Sequence, residues 1–140
     1  MASAEARVHN SPLESVHFHE VGRMTNILAV GLIAEMFTSI NPTAFVASPL
    51  PLTDGTVHCA HGSVPNPAPA TLAQLEGVAV RSYNGTGETV TPTGVAILKG
   101  LGAQFGPWPE MLVKHQVTAF APGKTFEGAN GLVFALGQSL

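Results

Sequence analysis

The chain has 140 residues, of which 45% are hydrophobic and only 11% charged, and its formal net charge is −3. That balance belongs to a folded, apolar domain rather than a disordered one, and with no basic run it argues against a surface that tracks nucleic-acid phosphates. Cys59 is the single cysteine, which rules out an internal disulfide framework and fits a reducing cytoplasm.

A chain of this length buries roughly two thirds of its unfolded surface, so one domain over 1–140 is expected. The opening stretch MASAEARVHNSP lacks the apolar core of a signal peptide. The greasiest segment, NILAVGLIAEMF (26–37), contains Glu35 and falls short of the about 20 apolar residues that span a bilayer. A soluble, cytoplasmic protein with no membrane contact is the expectation.

In chain order, residues 4–9 suggest a helical stub ended by Asn10 and Pro12. From Val16 to Val21 apolar and polar residues alternate, which predicts a short extended segment with His17 and His19 on one face. A helix follows over 25–38, with Thr25 or Asn26 as its N-cap and Asn41-Pro42 as its stop. Because this helix is apolar nearly all round, it is expected to be buried on several sides, with Gly31 closely packed against a neighbour.

Strands are predicted over 44–48, 55–60 and 78–83, with a proline-punctuated turn after the first. A short helix near 69–76 is closed by Gly77, and another near 92–104 starts with Thr91 as N-cap and Pro92 at its first position. Segments 112–120 and 131–136 form a closing strand pair. The fold class expected is α+β: one compact domain in which a mixed sheet packs with helices near 25–38, 69–76 and 92–104.

Three groups of residues could carry chemistry. His17, His19 and Glu20 are standard donors for Zn, Ni or Mn, although surface histidines near a turn fit the same spacing. His58 and His61 flank Cys59 in VHCAHG, a set suited to a thiophilic ion such as Ni or Zn. The bland alternative is a strand with one outward histidine and a buried cysteine. At Thr91, Thr93 and Gly94, a threonine-rich turn feeds a helix start whose N–H groups suit a phosphate, although an ordinary capped helix reads the same way. Neither a Walker A lysine nor G-x-G-x-x-G is present, and no serine sits in a G-x-S-x-G elbow.

Taken together, VHFHEVG, ASPLPL, AHGSVPNPAPATLAQLEG and ETVTPTGVAILKGL resemble the LarC family, collinearly from about Val8 to Gly137. The resemblance implies nickel insertion: a CTP-dependent cyclometallase, a lyase, placing Ni(II) into pyridinium-3,5-bisthiocarboxylic acid mononucleotide. It also implies that His17, His19, Glu20 and His61 line one metal-handling cavity, and that Thr91, Thr93 and Gly94 receive the substrate's phosphate. No residue is assigned a catalytic role.

The departures shape the expectation. Thr25 and Ala29 stand where the family pattern has two aspartates, and Val133 replaces an arginine in the pattern that keeps Asn130 and Leu132. The family's opening segment and its CTP-associated domain, with Mn(II), have no counterpart here. The expectation is therefore a nickel-handling module that is not a complete enzyme alone, partnered by a separate chain or by copies of itself. The alternative is a non-catalytic homologue that lost the acidic ligands and binds a partner or a phosphorylated small molecule.

Overall fold

The computed structural model describes residues 1–18, 22–59, 62–120 and 131–140. Among the described residues, four α-helices, α1 (Ala2–Val8), α2 (Met24–Ile40), α3 (Pro69–Gln74) and α4 (Pro92–Gly100), accompany eight strands. These are β1 (Val46–Ala47), β2 (Leu50–Leu52), β3 (Thr56–Cys59), β4 (Gly62–Pro65), β5 (Val80–Ser82), β6 (Gln104–Phe105), β7 (Met111–Ala119) and β8 (Leu132–Ser139). The class is α+β, as the interleaved signals predict.

In place of one mixed sheet, four two-stranded ladders form among the described residues. β1 pairs with β6 and β2 with β5, both parallel, so residues 46–52 meet one partner with each half. β3 pairs with β4, and β7 with β8, both antiparallel. The segment expected as a turn at 50–52 is thus strand β2. Its backbone finds partners in Ala79 and Tyr83: Leu50 N–H donates to Ala79 O at 2.9 Å, and Tyr83 N–H to Leu52 O at 2.8 Å.

The core is small. Leu75, Val90 and the fully buried Val95 pack with Leu50, Leu52 and Val78, joining α3, α4, β2 and the segment before α4. The end of α3 is held from two sides. Lys99 Nζ in α4 donates to the carbonyls of Gln74 (2.8 Å) and Glu76 (2.9 Å). Arg7 in α1 donates to Ala73 O at 3.2 Å and pairs with the Glu76 carboxylate at 3.0 Å. Cations at a helix C-terminus meet carbonyls that have no intrahelical donor.

Local signals set the helix ends. Asn41 adopts φ 48°, ψ 56° and returns its N–H to Phe37 O, and Pro42 then forbids continuation. α4 stops at Gly100 rather than 104, because Gly102 (φ 77°) closes a Schellman motif in which Gly102 N–H reaches Lys99 O and Ala103 N–H reaches Leu98 O. Released there, the chain supplies β6.

The expected burial of α2 is overturned. The helix forms, one residue longer at its start and two at its end, but none of its residues is buried. Only one side turns inward: Val30, Ala34 and Phe37 are half-buried, and the Phe37 ring lies 4.9 Å from that of Phe45. The other side carries Met24, Leu28, Leu32, Met36 and Ile40, an i, i+4 ridge with exposures of 53–67%. Gly31 is not closely packed either, since a Cβ there would meet nothing within 4 Å among the described residues. No helix among the described residues is long and apolar enough to cross a membrane.

Candidate functional site

The most developed polar arrangement in the structure joins three loops around Asn66, which follows β4 inside the PNPAPAT run. Its N–H donates to Gly55 O at 2.9 Å, extending the β3–β4 ladder by one step. Its side-chain Nδ2 donates to Thr53 O (3.0 Å) and Thr53 Oγ1 (2.7 Å), and lies 3.4 Å from Gly87 O. Thr53, only 2% exposed, gives its own hydroxyl hydrogen to Gly87 O. Thr89 Oγ1 then donates to Pro51 O at 2.6 Å.

The consequence is positional. The β3–β4 hairpin, the end of β2 and the 84–91 segment are tied at one point, and that segment delivers Val90 to the core and Thr91 to the start of α4. Sequence reasoning singled out neither Thr53 nor Asn66. The signal available was a polar pair bracketing the hairpin, TDGT before it and PNP after it.

At α4 the expected cap is present. Thr91 Oγ1 accepts the Gly94 N–H at 3.2 Å, and a Cβ at position 94 would sit 3.3 Å from that oxygen. Thr91, Thr93 and Gly94 therefore share one turn. The Gly94 N–H expected to face a phosphate is already paired, and Pro92 has none to offer, so the Thr93 N–H is the remaining first-turn donor.

Of the four metal candidates, His17 is described and exposed. It lies in 16–18, which forms no strand although Val16 is extended. His19, Glu20 and His61 lie outside the described residues, and with them the shared cavity expected for the four. The glycine closing the first motif has a visible reason: a Cβ on Gly22 would come 2.9 Å from Phe18 O, too close for any other residue without a shift. Thr25 and Ala29, where the family resemblance leads one to expect two aspartates, are both exposed on α2.

The hairpin separates the second candidate group. Along β3, Thr56 and His58 face solvent while Val57 and Cys59 are half-buried, so the thiol and the His58 imidazole leave opposite faces. Adjacent strand residues arranged this way cannot both reach one ion. His58 is instead paired across the ladder with Ser63, whose Oγ lies 2.7 Å from His58 Nδ1. Among the described residues, no three His, Cys, Asp or Glu side chains gather in a metal-binding group.

Comparison with known proteins covers nearly the whole chain. The sequence model of the family described as "Nickel insertion protein" matches residues 1–138. The pyridinium-3,5-bisthiocarboxylic acid mononucleotide nickel insertion protein of Geobacillus kaustophilus is 42% identical over 113 residues, 81% of this chain and 28% of its own length. A protein of the same name from Staphylococcus epidermidis is 41% identical over 117 residues, 82% of this chain and 29% of its own. A putative nickel insertion protein of Citrifermentans bemidjiense is 47% identical over 111 residues, 79% of this chain and 29% of its own. This chain thus spans less than a third of the length of these relatives. No solved structure matches it.

Proposed function

The chain belongs to the nickel insertion protein family, and we propose that within it this chain handles Ni(II) for the building of a nickel-pincer nucleotide cofactor. The observation that carries the reading is the family match over 1–138, which includes both histidine motifs, HFHEVG and AHG. In this reading the ion is cargo, and His17, His19, Glu20 and His61 hold it. Imidazole and carboxylate donors suit a carrier because they release a borderline ion more readily than a cage of thiolates. Cys59, turned to the other face of its hairpin from His58, fits that division.

The substrate is a pyridinium mononucleotide whose phosphate is received at Thr91, Thr93 and Gly94. The Thr93 N–H is the backbone donor and the two hydroxyls flank it, while Thr91 also keeps its cap. Nickel insertion as a complete reaction draws on CTP and Mn(II) bound outside these residues. The uncharged Thr25 and Ala29 support this limit, because a divalent ion here lacks two carboxylates that would balance its charge.

A second reading is favoured by one observation, the exposed apolar ridge of α2. It is a non-catalytic homologue that has given up the acidic ligands and associates with another chain, a second copy included, through that helix. One experiment separates the two. The chain is purified without an affinity tag, its metal content is measured by mass spectrometry, and Ni(II) is titrated by calorimetry. Weak, saturable Ni(II) binding lost in His17→Ala supports nickel handling, whereas no binding at millimolar Ni(II) leaves the second reading.

A further inference from the structure

The β3–β4 hairpin carries an imidazole whose orientation is fixed by a neighbour. His58 in β3 stands directly opposite Ser63 in β4, and the Ser63 hydroxyl lies 2.7 Å from its Nδ1. This pairing engages Nδ1, and Nε2 is the other ring nitrogen of a side chain that is exposed as a whole. A serine hydroxyl can accept as well as donate. When it accepts from Nδ1–H, Nε2 carries a bare lone pair, the form in which a neutral imidazole binds a metal. Metal-ligating histidines are commonly fixed in this way, their second nitrogen bonded to an oxygen that sets both tautomer and ring plane.

The arm that carries this imidazole is itself held in place. Asn66 N–H closes the base of the hairpin on Gly55 O, and Asn66 Nδ2 ties it to buried Thr53 and thence to Gly87. A strand also tells the two donors of VHC apart. Cys59 leaves the hairpin on the half-buried face, so an ion at His58 is not met by the Cys59 thiolate.

We propose that His58 is a ligand for a divalent first-row ion through Nε2, with Ser63 as the residue that positions it. This rests on the nickel-handling reading and adds a donor to it that the two histidine motifs do not contain. The thermodynamic role of Ser63 is to hold the ring in the ligating tautomer before the ion arrives.

The test uses the whole untagged chain. Zn(II) serves as a diamagnetic probe while the histidine side-chain nitrogens are followed by NMR, and Ni(II) affinity is measured by calorimetry. On Zn(II) addition the His58 Nε2 resonance moves to the range of a metal-bound nitrogen while Nδ1 keeps its proton. His58→Ala and Ser63→Ala each weaken Ni(II) binding about 10-fold or more, and Ser63→Thr, which keeps the hydroxyl, restores it. A proton held on Nδ1 of the metal-bound ring in the wild-type chain and lost in Ser63→Ala is a result a merely structural hairpin contact would not give. Unmoved His58 nitrogens, coordination through Nδ1, or unchanged Ni(II) affinity in His58→Ala overturns the assignment. In that case His17→Ala tells whether the broader reading survives: weakened binding keeps nickel handling without His58. A wild-type chain that holds no Ni(II) removes both.

Discussion

Asn66 Nδ2 lies 2.7 Å from Thr53 Oγ1, and this contact fixes which way round the amide must be. Thr53 Oγ1 has already given its hydrogen to Gly87 O, so it can only accept from Asn66. The other neighbours of Nδ2, Thr53 O and Gly87 O, are acceptors too. An aspartate at 66 would turn an oxygen toward all three. Asn66→Asp is expected to cost on the order of 2 kcal/mol in urea unfolding, and Thr53→Ser much less, because it keeps the hydroxyl. An unchanged unfolding midpoint in Asn66→Asp would show that the three-loop junction contributes nothing to stability.

Thr71 presents the opposite case. It is fully buried in α3, and among the described residues its Oγ1 has no hydrogen-bond partner. An unpaired buried hydroxyl costs about 1–3 kcal/mol, and valine has nearly the same shape. Thr71→Val is therefore expected to stabilise the chain by roughly 1 kcal/mol, seen as a higher melting temperature. A lower one would mean that the hydroxyl serves a partner the fold needs.

Lys99 and Arg7 act on the same helix end, and their contributions should not add. Lys99→Met keeps the apolar stem and removes both bonds to the Gln74 and Glu76 carbonyls, at an expected cost of about 1 kcal/mol. Arg7→Ala removes the bonds to Ala73 O and to the Glu76 carboxylate. Because residues 73–76 are shared, a double-mutant cycle should return a coupling of at least about 0.5 kcal/mol. Strict additivity would mean that α1 and α4 hold α3 independently.

Thr25 and Ala29 offer a gain-of-function test. Both are exposed and one helical turn apart, so carboxylates at these positions disturb no packing. Thr25→Asp with Ala29→Asp is expected to tighten Ni(II) binding at least about 10-fold, read by calorimetric titration. No gain would place the ion away from α2.

The features legible in the sequence are those settled within one or two turns of chain. Thr91 and Pro92 declare the start of α4 because the cap bond spans three residues, and Asn41-Pro42 declares the end of α2 because both act on their own backbone. The β7–β8 pair is legible for a similar reason, since two long β-prone runs lie close in sequence. GLGA also held the Schellman stop of α4, which the run of apolar residues around it masked.

What tertiary structure alone decided depends on distant partners. The parallel ladders bring Leu50 to Val80 and Val46 to Gln104, pairings that no local pattern specifies. Asn66 finds Thr53 13 residues away and Gly87 21 residues away, so its role as the junction of three loops is invisible in PNP. The same holds for α2. Its sequence fixes a helix and an apolar ridge, but burial is a property of whatever surface lies opposite, and the inward side meets only enough neighbours to half-bury Val30, Ala34 and Phe37. Composition determines how much a helix gains from being covered; only the placement of the rest of the chain determines whether it is.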